Sequence, residues 1–325
     1  MKTPIQQTPQ TSDPAQKPET KAKIHAIVVT YFPDVEHLLE LLNSLHPQVA
    51  WIHVIDNTPG DSIAPALLQI PPMGRISIKR LETNRGIARA LNIGIQTALE
   101  NGADYVLLSD QDSLPDSNMA TALLEEAERL QSEGVSIGCI SPAYHDLYTD
   151  TPYRFQVSGR IFYSYIRPDI HTRAQEIIFA ISSGSLIPRM TLEHVGLMDE
   201  DFFIDHVDSE WCHRAISQGY HNYGVARAKL LHRLGSGMMK VWIFGWHPHT
   251  AYSPIRLYFR FRNFILLSRL KHVPRLWLIR ASRYWLISAY AEIVFSRNRV
   301  DNTRAIFLGL IDGIAGKTGP TTRHL

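Results

Sequence analysis

His25-Ala26-Ile27-Val28-Val29-Thr30-Tyr31 is an almost unbroken apolar run, and Phe32-Pro33-Asp34 stops it. A strand with one wet face alternates apolar and polar residues. A run without alternation belongs to a strand covered on both faces, as in a parallel sheet. The next segment has a different period: Val35, Leu38, Leu39, Leu41, Leu42 and Leu45 recur at helical spacing between Asp34 and His46. The alternation then continues. Residues 51–55 read as a second strand ending in the turn Asp56-Asn57-Thr58-Pro59-Gly60, 76–81 as a third and 86–100 as a helix. Residues 105–109 read as a fourth strand, 116–131 as a helix capped by Asp116 or Ser117, and 136–141 as a further strand. Strands alternating with helices predict an α/β domain around a mostly parallel sheet. Ligands of such sheets bind beyond the carboxyl ends of the strands, and both Asp56 and Asp110 stand there.

Downstream the pattern loosens. Aromatic alternation between 142 and 176 (Tyr153, Phe155, Phe162, Tyr163, Tyr165) predicts one or two antiparallel strands. Residues 177–187 read as a strand interrupted by Ser182-Ser183-Gly184, and 208–219 as a short helix with Gly219 as its C-cap. From 254 to 299 there are ten Lys or Arg against one acid, Glu292, interleaved with Trp, Phe, Tyr and Leu; the spacing predicts two helices split near His272-Val273-Pro274. The chain divides into an N-terminal arm (1–23), an α/β domain (24–250) and a C-terminal helical region (251–325). The arm is Pro, Gln, Thr and Lys with almost no apolar content, so it is expected to be disordered and is no secretory signal.

Composition bounds the function. The 325 residues are 45% hydrophobic, ample for a core, and a formal net charge of +2 gives no global case for nucleic-acid binding. Two distant cysteines, Cys139 and Cys212, suggest a reducing compartment. No run of eighteen uncharged apolar residues predicts a transmembrane helix. The absence of Gly-x-Gly-x-x-Gly and of a Walker loop argues against dinucleotide and P-loop proteins.

Asp110-Gln111-Asp112 puts two carboxylates just past a buried strand, where oxygen ligands can hold Mg2+ or Mn2+ together with a substrate phosphate. The plainer alternative is a solvated turn before a helix. The surroundings favour the ligand site. Asp56-Asn57 can hydrogen-bond a base ring. Asn84-Arg85-Gly86-Ile87-Ala88-Arg89-Ala90-Leu91-Asn92-Ile93-Gly94 opens a helix whose N-terminus suits an anionic pyrophosphate, with Arg85 and Arg89 to add charge; its glycines can equally serve helix packing. Asp205, Asp208 and Glu210 gather three acids in six residues near Arg214, a candidate general-base cluster, or else acids complementing a helix dipole. His232, in Leu230-Leu231-His232-Arg233-Leu234-Gly235-Ser236, can complete a metal's coordination or serve the structure alone.

Taken in order, these motifs resemble family 2 inverting glycosyltransferases of the GT-A fold, a Rossmann-like, mostly parallel sheet flanked by helices. Asp110-Gln111-Asp112-Ser113 and Phe203-Ile204-Asp205-His206-Val207-Asp208 make the chain most similar to bacterial L-rhamnosyltransferases, including the rhamnolipid type, over about 24–236. The resemblance implies that Asp56 contacts a thymine or uracil base, that Arg85, Gly86 and Asn92 surround the donor sugar-phosphate, and that Asp110 sits near the ribose or sugar. It implies that Asp112 and His232 bind the metal, that Asp208 is the base and that Glu210 is the second acid of its motif. The family commonly has Glu-Asp at the base position where this chain has Val207-Asp208, so Asp205 stays open as sharing or taking that role. The implied reaction moves a sugar, L-rhamnose from dTDP-L-rhamnose, to a hydroxyl of a lipid-linked saccharide or glycolipid.

The basic, aromatic C-terminal region suits the anionic inner leaflet, which predicts a cytoplasmic protein held peripherally at the inner membrane. The alternative is that these helices only cover the catalytic domain, with Arg stems over apolar surface. Two other readings compete. A nucleotidyltransferase would need a Gly-rich basic loop where Thr30-Tyr31-Phe32-Pro33-Asp34 stands. A non-enzymatic membrane adaptor would gain nothing from so many clustered acids.

Overall fold

The computed structural model describes residues 22–60, 67, 70, 74–147, 149–232 and 238–323. Most of the predicted arm and Arg233-Leu234-Gly235-Ser236 lie outside the described residues.

The opening run is β1 (Ile24–Thr30), every residue of it buried. Its side chains alternate between two cores. Ile24, Ala26 and Val28 pack with α1 (Val35–Leu45), whereas Ile27 and Val29 pack against α2 (Ile87–Glu100). That two-sided burial is why the run shows no period. Asp34 caps α1 by accepting from the His37 N–H at 3.2 Å. Gly94 lets α2 lie flat on the sheet, since a Cβ there would run into the Ile27 side chain.

Parallel pairing joins β1 to β2 (Trp51–Asp56) and to β4 (Tyr105–Asp110), and β2 to β3 (Ile76–Arg80). The remaining sheet strands are β5 (Leu114–Pro115), β6 (Ile137–Asp146), β9 (Gln175–Ile177), β10 (Leu186–Pro188) and β11 (His221–His232). The order is β3-β2-β1-β4-β10-β6-β11-β5, with β9 also paired to β11. β10 runs antiparallel between β4 and β6, within a sheet that is mostly parallel as expected. The aromatic alternation became a hairpin of β7 (Phe155–Val157) and β8 (Ser164–Ile166). Residues 177–187 are not one interrupted strand: β9 ends at Ile177 and β10 begins at Leu186, with Ser182-Ser183-Gly184 in the turn between.

α3 (Met119–Ser132) begins later than expected, with Asn118 rather than Asp116 or Ser117 at its N-cap. α4 (Arg189–Val195) leads to a 3-10 turn (Glu200–Phe202) and then α5 (Val207–Ser217), after which Gly219 takes φ +85°. A hairpin, β12 (Met238–Trp242) and β13 (Trp246–Thr250), precedes the two predicted C-terminal helices, α6 (Pro254–Leu267) and α7 (Arg275–Val294). A third, α8 (Arg299–Ile314), packs back on α6, with Gly309 and Gly313 against the Tyr258 and Arg262 backbone. Among the described residues no helix is long and apolar enough to cross a membrane.

Candidate active site

β1, β2 and β4 end side by side: Thr30 pairs with Asp56, and Val29 with Asp110. The Asp56 carboxylate is fully buried. Its Oδ1 accepts from Thr30 Oγ1 and from the Thr58 N–H, both at 3.1 Å. Its Oδ2 has Arg80 Nε at 3.6 Å but no hydrogen bond among the described residues. A buried acceptor without a hydrogen bond is costly, and the imide N–H of a pyrimidine ring is a donor that would satisfy it. Asn57 is engaged at both ends of its amide, with one N–H and one lone pair still unassigned. Its Nδ2 donates to Asn84 Oδ1 at 3.0 Å and its Oδ1 accepts from the Arg85 N–H at 2.7 Å.

The spacing of Asp110-Gln111-Asp112 has a local cause. Gln111 clips its amide onto the backbone of Tyr31, accepting at 2.7 Å and donating at 3.1 Å, and so pins the loop after β4 to the end of β1. Asp110, Asp112 and His232 then converge, each offering a ligand atom within 4.8 Å of the other two. Asp110, expected from the resemblance near the ribose or sugar, stands in this cluster. His232 Nδ1 lies 2.8 Å from Ser113 Oγ, which is 2.8 Å from Ser183 Oγ, which accepts from the Asp110 N–H at 3.0 Å. This chain fixes the imidazole and leaves Nε2 for a ligand. Burial pushes the Asp110 carboxyl above the usual range, against the pull of His232 and with the Asp112 charge adding to it. Two carboxylates and one oriented imidazole fit a divalent cation.

The acids around α5 separate sharply. Phe203, Asp205 and His206 all have positive φ (60°, 63° and 65°), so the backbone leading into α5 is strained. It is held there by α6. Asn263 Nδ2 donates to the carbonyls of Phe202, Ile204 and Asp205 at 2.6, 2.7 and 3.0 Å. Arg256 grips both carboxylate oxygens of Asp205 at 2.7 and 2.8 Å, and Arg260 reaches it at 3.5 Å. Burial would raise the Asp205 carboxyl, but the two arginines outweigh it and hold it below the usual range. This is the geometry of an anchor, not of a proton acceptor, and it speaks against the expectation that Asp205 shares the base role.

Glu210 is likewise held by a cation. It is buried, forms a two-point pair with Arg214 at 2.9 Å on each oxygen, and has His272 Nε2 at 3.0 Å. Arg214 in turn donates to the Val195 and Leu197 carbonyls at 2.6 and 2.7 Å, so the pair ties α5 to the turn after α4. Asp208 alone has no arginine or lysine partner among the described residues. Its hydrogen bond comes from the Ser209 N–H at 2.8 Å. Burial pushes its carboxyl up to about 7; that N–H opposes the rise, and the charges of Asp205 and Asp110 add to it. A carboxylate that titrates near neutrality beside a ligand cluster can take a proton from a hydroxyl.

The 84–94 motif serves this loop as well. The first N–H groups of α2, those of Ile87 and Ala88, donate to the Phe203 carbonyl at 2.7 and 3.4 Å. Gly86 has φ +83°, and a Cβ on it would lie 2.6 Å from that oxygen. The helix N-terminus expected to receive a pyrophosphate is therefore plugged by the protein's own carbonyl. Asn92 donates to the Met198 carbonyl at 2.9 Å and to Glu200 at 2.8 Å, and accepts from the Met198 N–H at 2.9 Å, so it braces the 198–200 turn. Arg89 pairs with Glu200 at 2.9 Å, and Arg85 is exposed. Sequence reasoning missed Ser183, Arg256 and Asn263; only the lone polar interruption at Ser182-Ser183-Gly184 carried any signal.

Comparison with known proteins identifies the family. The model of the family "Glycosyl transferase family 2" matches residues 26–196. The chain is 32% identical over 302 residues to the dTDP-rhamnosyl transferase RfbF of Shigella flexneri, covering 92% of this chain and 97% of that protein. It is 28% identical over 250 residues to the galactofuranosyltransferase GlfT1 of Mycobacterium tuberculosis, covering 74% and 80%. In fold it is similar to the crystal structure of GalNAc-T7 with UDP, GalNAc and Mn2+, with a TM-score of 0.54 at 14% identity over 66% of this chain and 46% of that one. With its sheet order, its carboxylates beyond the strand ends and a family match across more than half its length, the chain belongs to glycosyl transferase family 2 and is a GT-A glycosyltransferase.

Proposed function

We propose that this enzyme transfers L-rhamnose from dTDP-L-rhamnose to a hydroxyl of a lipid-linked saccharide or glycolipid, with inversion. The observation that carries the donor is the similarity to a dTDP-rhamnosyl transferase across nearly the whole of both chains, including the part beyond residue 196 that holds Asp208, His232 and Arg256. Asp56 Oδ2 receives the base. Asp208 accepts the acceptor's hydroxyl proton as that oxygen bonds to the anomeric carbon. The bond from the anomeric carbon to the diphosphate oxygen breaks, and its electron pair leaves with dTDP. Asp110, Asp112 and His232 would hold Mn2+ or Mg2+, which when bound supplies positive charge to the departing diphosphate. A screen of nucleotide-sugars for slow hydrolysis and for a rise in melting temperature tests the donor. The expected response is to dTDP-L-rhamnose; a response to a UDP-sugar alone would replace it.

A lipid-borne acceptor accords with the C-terminal surface. α7 exposes Leu276, Ile279, Leu286, Ile287, Tyr290 and Val294, α8 exposes Val300, Phe307, Ile311 and Ile314, and Phe244 at the tip of the β12–β13 hairpin is 98% exposed. Exposed arginines at 283, 297, 299 and 304 accompany them. Such a mixture suits a peripheral seat on the anionic cytoplasmic face of the inner membrane. Co-sedimentation with phosphatidylglycerol vesicles, lost in Phe307→Glu/Ile311→Glu, is the expected result; equal pelleting of the variant would reject this seat.

A further inference from the structure

Two arginines hold Asp205, and they differ. Arg260 is enclosed: its side chain is 12% exposed, and its guanidinium lies 4.0 Å from the Tyr252 ring centroid and 4.7 Å from that of Trp285. Arg256 is open: its side chain is 43% exposed. Asp205 takes its Nε and Nη2, and Nη1 has no hydrogen-bond partner among the described residues. A bidentate carboxylate fixes the plane of a guanidinium, so the remaining N–H groups point in a set direction. Arg256 stands beside the unpaired Asp208, because its partner Asp205 lies three residues before Asp208 at the entry to α5. The site also carries a charge imbalance. Asp110 and Asp112 stand together in one cluster and the Asp110 charge reaches Asp208, while Arg256 brings an open donor to the same end of the sheet. A nucleoside diphosphate would add still more negative charge.

We propose that Arg256, presented by Asp205 through its Nε and Nη2, is a donor-binding residue whose Nη1 contacts the diphosphate of the nucleotide-sugar. The assignment rests on the reading of this site as a nucleotide-sugar site. It makes α6, which lies beyond the residues matched by the family model, part of the donor site, and it gives Asp205 a role as positioning residue in place of that of a base. The cation would strengthen binding of the leaving group as charge builds on it.

Isothermal titration of the full chain with dTDP and with dTMP, both with Mn2+, tests the assignment. In Arg256→Gln the dissociation constant for dTDP is expected to rise about tenfold or more, while that for dTMP changes far less. Arg256→Lys, which keeps the charge but not the fork, should fall between the two proteins. Melting curves without nucleotide show whether the fold survives. Unchanged dTDP affinity in Arg256→Gln would overturn the proposal, and so would a parallel loss for dTDP and dTMP with a lowered melting temperature, the signature of a scaffold. If the wild-type protein bound neither nucleotide, the nucleotide-sugar reading would fall and this assignment with it.

Discussion

Two acidic stretches of this chain look alike on paper and differ in what surrounds them. Asp110-Gln111-Asp112 has no arginine or lysine within salt-bridge distance among the described residues; its neighbours are an oriented imidazole and a line of serine hydroxyls. Asp205, Asp208 and Glu210 lie among arginines, and two of the three are paired while the middle one is not. Counting carboxylates therefore locates the site but does not assign it. A carboxylate gripped on both oxygens is an anchor, and an unpaired one in a recess is available for chemistry. The contrast can be broken or sharpened one acid at a time.

The largest effect belongs to Asp208. Asp208→Asn should lower kcat by about 10²- to 10⁴-fold, the range for removing a general base, while dTDP still binds. Turnover near wild type would refute the base assignment. The pH profile carries the same information. The wild-type rate should climb with pH and level off above about 7, as the carboxyl loses its proton. Stability should move the other way. A folded-state carboxyl raised from 3.8 to about 7 binds its proton more tightly when folded, so its contribution is complete below about pH 4 and is lost as pH rises through 7. Asp208→Asn, which resembles the protonated form, should therefore melt higher than wild type at pH 8.

Next comes the pair without arginines. Asp112→Asn should reduce turnover by about 10²-fold at limiting metal and recover partly as Mn2+ is raised, since the lost ligand weakens the site without removing it. A chelator should silence the wild-type enzyme, and Mn2+ or Mg2+ should restore it. Full activity in chelator would leave Asp110, Asp112 and His232 as a hydrogen-bonded surface and nothing more.

How much of this was legible follows from which interactions are local. β1 showed itself because both of its faces are buried, and α1 because its leucines keep one face. Asp110 and Asp56 were found because a strand end is a sequence feature. Partnership was not found, because it is set at long range. Arg256 lies 51 residues after Asp205, and Asn263 contacts carbonyls 58 to 61 residues back, so no spacing rule reaches them. The glycine-rich 84–94 segment is ambiguous for a related reason. Its signature is the same whether a helix N-terminus faces a ligand or the Phe203 carbonyl. β11 escaped notice because its pairing with β6 breaks register twice, and Arg227 and Lys229 interrupt its apolar run.

The smallest effect on turnover, and the one that separates anchor from catalyst most cleanly, is expected at Glu210. It is a carboxylic acid like Asp208 and two residues away, yet its oxygens are committed to Arg214, which is itself committed to the carbonyls of Val195 and Leu197. Replacing it removes one partner of a buried pair and strands the guanidinium, a loss of about 3 kcal/mol. Glu210→Gln should therefore unfold at markedly lower denaturant, while the fraction still folded at low temperature turns over within about threefold of wild type, because no group that meets the substrate has changed. If stability held and kcat fell as far as in Asp208→Asn, Glu210 would act in the reaction, and pairing with arginine would no longer divide the acids of this site into anchors and catalysts.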